Sequence, residues 1–312
     1  MWTAGEPARV AGRGALAVLA HDALARWRWL IEEREADIAA IRARRGESGD
    51  TSDYWAVRAG RFPGAAGRPG GTPDPVLALL LGAVDRATTV LDVGAGRGRL
   101  ALPLAAAARA VTAVEPAAAM REHLEADIAA AGLTNVRVVA ATWADAAVEP
   151  ADVVVCANVL APIADAGAFL SKLDAHARRR CYVVMRATPL DEPLAGLWAA
   201  VHGAPYPRET THADAYAALD ALGIAAGVTM LPAGPGIWGH GFATRDEALR
   251  VVRDRLWLGP VGREPRADAL VEEFVATAFV RAGEHYRLPA RPARTAVLWW
   301  QKEEACSSPS DP

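Results

Sequence analysis

Between Val90 and Leu100 the chain reads VLDVGAGRGRL. A short apolar run ends on a carboxylate, Asp92. Glycine then occupies every second position, at 94, 96 and 98, before an alanine- and leucine-rich segment begins. Glycine lets a backbone take positive φ and approach a ligand closely. A strand, a tight glycine turn and a helix in succession confine the segment to one βα unit of an α/β sheet. Ligands of such sheets bind beyond the carboxyl ends of the strands. Two ligand classes fit poorly. A dinucleotide fingerprint needs Gly-x-Gly-x-x-Gly, and Arg99 stands at its third glycine. A triphosphate loop needs Gly-Lys-Ser/Thr, and the only lysines are Lys172 and Lys302.

The same rhythm continues downstream. Helix is predicted over residues 76–87, 99–108, 117–132 and 164–177, and strand over 89–93, 110–115, 135–141, 151–157 and 180–185. Strands that alternate with helices over short connections predict a parallel sheet covered on both faces. Beyond Met185 the pattern loosens. A short segment AGLWAAVHG precedes a helix near 213–222, a strand AAGVTML, two helices over 244–258 and 266–283, and a last strand TAVLWW. Upstream, Leu16, Leu19, Leu24, Trp27, Leu30, Ile31, Ile38 and Ile41 repeat at helical spacing within residues 14–44. Residues 45–75 are rich in turn formers yet carry Tyr54, Trp55 and Phe62, which suits a lid.

The run LDVGAGRGR resembles the first motif of the class I S-adenosylmethionine-dependent methyltransferases. That cofactor carries an amino group and a sulfonium and no phosphate, so an acid at Asp92 suits it. The second motif is AVTAVEP, in which Glu115 ends the next strand and a carboxylate can accept from both ribose hydroxyls. The third is weaker: Trp143 and Asp145 lie in the loop after the third strand, where the family recognises adenine. The resemblance implies cofactor contacts from Asp92, Gly94, Ala95, Gly96, Gly98, Glu115, Pro116, Trp143, Asp145 and Asn158, with Tyr54 and Arg58 closing over the ligand. It also implies a Rossmann-like α/β fold, with seven mostly parallel strands and the last antiparallel between its neighbours. The expected divisions are an N-terminal helix and lid over 1–75, a cofactor-binding core over 76–231, a helical cap insertion over 232–294, the last core strand over 295–302 and a disordered tail over 303–312.

Methyl transfer from a sulfonium is an in-line displacement, and the cofactor carries the reactivity. Where a base is needed, His202 in WAAVHGAPYP and His240 in GIWGHGF are the candidates. Asn158 is followed by Val159, so the Asn/Asp-Pro-Pro-Tyr motif of amino-methylating nucleic-acid enzymes is absent. Cys156 lacks the preceding proline of a cytosine-methylating thiol. Ten tryptophans, many outside the core motifs, favour an enclosed small-molecule acceptor methylated on oxygen or nitrogen. RNA remains an alternative acceptor because IRARRG and RRRC could meet phosphates. A non-catalytic cofactor-binding protein is the alternative of another class, and a Rossmann oxidoreductase comes third. A net charge of −3 carries no general affinity for nucleic acid. No metal site is expected: the three cysteines lack C-x-x-C spacing and are read as buried thiols of a reducing compartment. Without a signal peptide or a membrane-length apolar run, the chain is expected to be soluble and cytoplasmic. Its oligomeric state is left open.

Overall fold

The structure, a computed structural model, describes residues 22–44, 74–233, 238, 241–258, 264–289 and 293–302. In chain order these form α1 (Ala23–Arg44), α2 (Pro75–Leu81), β1 (Thr89–Val93), α3 (Ala101–Ala107), β2 (Ala110–Val114), α4 (Ala118–Ala130), β3 (Val136–Val139) and β4 (Ala151–Ala157). There follow α5 (Ala166–His176), β5 (Ala177–Arg186), a 3-10 turn (Glu192–Leu194), α6 (Ala195–His202), α7 (His212–Ala221) and β6 (Gly227–Pro232). The last are α8 (Arg245–Arg255), α9 (Pro265–Ala278), β7 (Val280–Ala282), β8 (His285–Arg287) and β9 (Arg294–Gln301).

Seven strands form one sheet in the order β3-β2-β1-β4-β5-β9-β6. Pairing is parallel from β3 to β5. The last strand, β9, slots antiparallel between β5 and β6, as the family resemblance implies. Alternation along the strands builds two cores. Leu91, Val93, Val154, Cys156, Cys181 and Val183 meet α5 and α7 on one face, and Trp27 and Ile31 of α1 join that core. Val90, Val111, Ala113, Val153, Val155 and Val184 meet α2, α3 and α4 on the other. Both faces are dry, which is why these strands read as almost unbroken apolar runs. Cys156 and Cys181 lie within this sheet, and burial pushes both thiols up, so neither is a ready nucleophile. Cys306 lies outside the described residues.

The connection from β6 to β9 is long and makes a third core. Pro232 pairs with Arg294, and Arg186 at the end of β5 pairs with Thr295. The insertion therefore leaves and rejoins the sheet at the edge where the parallel strands end. Its α8, α9 and β7–β8 hairpin pack Phe242, Val252, Val271 and Phe279 against Leu194 and Trp198 of the segment after β5. Two expectations need correction here. The helix expected over 76–87 stops at Leu81, because Asp85 and Thr88 close a turn on each other: the Thr88 hydroxyl donates to Asp85 at 2.7 Å and accepts from the Asp85 N–H. Residues 280–283, expected to extend a helix, instead enter the hairpin. Phe279 turns extended (ψ 140°) to bury its ring in the cap, and Gly283 supplies the positive φ of the hairpin turn.

Trp27 fastens α1 to the rest. It is fully buried, and its indole N–H donates to the Ile163 carbonyl at 2.7 Å, in the loop after β4. Arg26 adds an ion pair to Asp214 of α7 at 3.4 Å. Trp27→Ala is expected to cost about 3–5 kcal/mol, the usual range for emptying a buried aromatic site. Urea unfolding followed by circular dichroism measures it, and a change under 1 kcal/mol would mean that α1 is not docked through this residue.

Candidate cofactor site

The site assembles at the carboxyl ends of β1, β2 and β4. The N–H groups of Gly94 and Ala95 both donate to the Val114 carbonyl, at 2.8 and 3.0 Å, which ties the glycine turn to the end of β2. Glu115 completes the tie. Its Oε2 accepts from the Gly96 N–H at 2.8 Å and its Oε1 from the Ala117 N–H at 2.9 Å. A carboxylate has about four lone-pair sites. Two are used by these bonds, and two remain for the paired hydroxyls of a ribose. Arg121 donates to the carbonyls of Glu115 and Pro116, at 3.0 and 2.6 Å, and fixes the backbone as it leaves β2.

All three glycines have positive φ: 72° at Gly94, 56° at Gly96 and 80° at Gly98. Their surroundings differ. A Cβ on Gly94 would meet Val159 at 2.3 Å, and one on Gly98 would meet Leu124 at 2.5 Å. Those two glycines serve packing. A Cβ on Gly96 would meet nothing within 4 Å, so Gly96 is the one whose outer surface is open to a ligand. Asn158, at the end of β4, also has positive φ (58°), and its N–H donates to the Val184 carbonyl. Val159 is thereby placed over Gly94.

Asp92 points to the α3 side of β1 and accepts a hydrogen bond from the Ala101 N–H at the start of that helix. It is 2% exposed. Burial pushes its carboxyl up to about 7; Arg99 opposes this, and nearby Glu115 adds to it. Arg99, at the position that breaks the dinucleotide fingerprint, is itself paired with Asp74, which also caps α2. A buried acid held near neutrality is suited to a cationic ligand group, because an ammonium beside it would restore its charge. The donor set, one buried acid, one ribose-type acid and an open glycine, fits S-adenosylmethionine.

The other expected contacts divide. Asp145 is exposed in the loop after β3, where the Thr142 hydroxyl donates to it at 2.6 Å. Trp143 does not pack beside it. Its ring is buried in the core against Phe169 and His176, its N–H donates to the Phe169 carbonyl at 3.2 Å, and Lys172 stacks on it at 4.7 Å. The Lys172 ammonium meanwhile holds the carbonyls of Trp143, Ala144 and Ala146 and so shapes this loop from below. His202 ends α6 and packs against the cap. Its Nε2 is 3.0 Å from the Leu256 carbonyl, which commits that nitrogen as donor, and its ring is 4.2 Å from that of Trp198. It helps line a cavity of about 430 Å³ between α6 and the start of α9. Tyr54, Arg58 and His240 lie outside the described residues. Sequence reading missed Asp74 as the partner of Arg99, although the Asp74-Pro75 pair is a helix-start signal.

Residues 90–179 match the family model described as a methyltransferase domain. That span runs from β1 into β5 and holds the glycine turn and Glu115, so this part of the chain is a methyltransferase domain. The chain is thus an enzyme whose cofactor is S-adenosylmethionine. No curated protein matches the chain. Among solved structures, it is similar to the YcgJ protein from Bacillus subtilis at 17% identity, over 73% of this chain and 98% of that one, with a TM-score of 0.49. It is also similar to magnesium protoporphyrin IX methyltransferase from Synechocystis PCC 6803, at 22% identity over 51% and 74%, TM-score 0.43. A S-adenosylmethionine-dependent methyltransferase from Aquifex aeolicus gives 20% identity over 52% and 84%, TM-score 0.42.

The raised carboxyl of Asp92 predicts opposite effects on fold and ligand. In the ligand-free protein its folded value, about 7, lies above the ordinary 3.8. Its contribution to stability is therefore full below about pH 4 and is lost as pH rises toward 7. Asp92→Asn should raise the melting temperature at pH 8 while weakening cofactor binding. Wild-type affinity for S-adenosylhomocysteine, measured by calorimetry, should climb as pH rises from 5.5 to 7.5 and flatten above. The Asn variant should lack that climb. A pH-independent wild-type affinity would refute the pairing of Asp92 with the ligand's ammonium.

Proposed function

We propose that this methyltransferase acts on a small molecule, at oxygen or nitrogen, by in-line transfer. Asp92 holds the amino end of the cofactor, Gly96 gives it close backbone contact, and Glu115 takes the ribose hydroxyls. Asp145 is the candidate for adenine. Proximity of this kind contributes about 7–11 kcal/mol to well-aligned displacements, so no conspicuous triad is needed. With S-adenosylmethionine bound, the sulfonium supplies the methyl group. The chain's own task is to orient the donor and enclose the acceptor.

The observation that carries the small-molecule reading is the placement of the cap. Its apolar cluster, with Trp198, Trp238, Phe242 and Phe279, arises from the same sheet edge as the cofactor loops. An aromatic cluster built over the sheet edge that carries the glycine turn suits an organic acceptor better than a nucleic-acid groove. The arginines that favoured RNA argue less well in place. Arg178 and Arg179 open β5, at the end of the strand away from the glycine loop, and Arg186 closes it. Eight residues of strand separate them from that edge, about 25 Å at the usual rise. Arg42 is 5.7 Å from the ring of Trp257 and packs on the cap. Among the described residues no helix is long and apolar enough to cross a membrane.

Incubation with methyl-labelled cofactor and an extract of the host distinguishes the acceptors. Label is expected in the organic-extractable fraction. Macromolecular label that is lost on ribonuclease treatment would replace this reading with RNA methylation.

A further inference from the structure

The segment after β5 carries a buried acid of which one oxygen is used by the fold and the other is not. Asp191 begins the 3-10 turn that leads into α6 and is 7% exposed. Its Oδ2 accepts from Arg255 of α8 at 3.1 Å. Its Oδ1 is buried and has no hydrogen-bond partner among the described residues. The buried indole N–H of Trp198, the fourth residue of α6, also has none among the described residues. A buried acceptor and a buried donor on one short segment, both unmatched, are costly for a fold to keep without a use.

Their setting gives the use. Arg186, the last residue of β5, is within electrostatic range of Asp191 and also of Arg99, the residue that follows the glycine turn and faces Asp92. Asp191 follows β5 by five residues at the carboxyl edge of the sheet, where the end of β5 lies beside Asn158 at the end of β4. The charged groups around it come from every neighbouring element: Arg255 of α8, Arg34 of α1, Arg186 of β5 and Glu209 before α7. Tyr206 donates to Glu209 at 3.0 Å, and its ring meets Trp198 edge-on at 5.2 Å, which adds an aromatic wall. Burial raises the Asp191 carboxyl above the usual range, against the pull of Arg255. An acid so placed is a better proton acceptor near neutral pH than an exposed one.

We infer that Asp191 is the acceptor-side catalytic residue: its Oδ1 takes the hydrogen bond of a phenolic, alcoholic or amine nucleophile and receives that proton as the methyl group transfers. The nucleophile's lone pair forms the new bond to the methyl carbon. The carbon–sulfur bond breaks, its electron pair stays on sulfur, and the sulfonium becomes a neutral thioether. The proton goes to Oδ1, so charge and atoms balance. An unprotonated carboxylate acceptor has no proton to give and would face Asp191 with like charge. The assignment thus restricts the acceptor class to protic groups. It rests on the methyltransferase reading proposed above.

The test uses the full chain, methyl-labelled S-adenosylmethionine and a panel of phenols, alcohols, amines and carboxylic acids, with Asp191→Asn and Asp191→Glu beside the wild type. Calorimetry with S-adenosylhomocysteine comes first. Affinities of both variants within about twofold of wild type would establish that the fold and cofactor site are intact. Label is expected on a protic panel member. Its rate should fall at least a hundredfold in the Asn variant, in line with loss of a general base, and recover in part in the Glu variant. The wild-type rate should rise with pH along a limb that the Asn variant lacks. Undiminished transfer by the Asn variant overturns the inference, as does transfer confined to carboxylic acids or to no panel member by protein that binds S-adenosylhomocysteine. A wild type that fails to bind S-adenosylhomocysteine would instead refute the cofactor reading, and the inference would fall with it.

Discussion

The Glu115 carboxylate holds together the parts on which the site depends. Its two oxygens join the middle of the glycine turn to the start of α4, across the ends of β1 and β2. The Val114 carbonyl reinforces the same junction from the backbone side. With positive φ at three alternate residues, the turn would otherwise be among the floppiest segments of the chain. Bonded in this way, it offers an open face at Gly96 while Gly94 and Gly98 are packed tight. One residue thus fixes the turn from its side chain, so the motif's acid and glycines form a single unit.

Around that junction the sheet provides dryness. Strands buried on both faces leave Asp92 little water, and this raises its carboxyl and suits it to a cation. The same edge of the sheet also launches the segment after β5 and the insertion between β6 and β9. The glycine turn and the insertion share one edge because β9 runs antiparallel between β5 and β6, so the chain leaves and re-enters the sheet at the carboxyl end. The two lysines have structural posts. Lys172 gathers three carbonyls of the loop after β3, and Lys302 pairs with Asp174, which also receives the Trp300 indole N–H at 2.8 Å.

Much of this was legible in the chain, and the exceptions have a common cause. The strand-turn-helix units, the Gly-x-Gly-x-Gly turn and the acid at 115 are local, with each signal within a few residues of its partner. The end of α2 was missed because helical spacing over 76–87 hides a competing Asp85–Thr88 turn. The hairpin after α9 was missed because Phe279 is drawn into a cap core that no local pattern announces. Trp143 was placed by its nearness to Asp145 along the chain. In space its ring answers to Phe169, His176 and Lys172, some thirty residues away.

The sequence by itself determined the α/β class, the cofactor family and the residues at the ends of β1 and β2, because short-range hydrogen bonding and backbone sterics decide them. Only the tertiary structure decided which glycine is open, that Asp92 is dry enough to titrate near neutrality and that His202 is committed to a carbonyl of α8's end. It also decided that Asp191 is buried with one oxygen unmatched. Burial and long-range partners depend on what the rest of the chain brings alongside, and no window of sequence contains that.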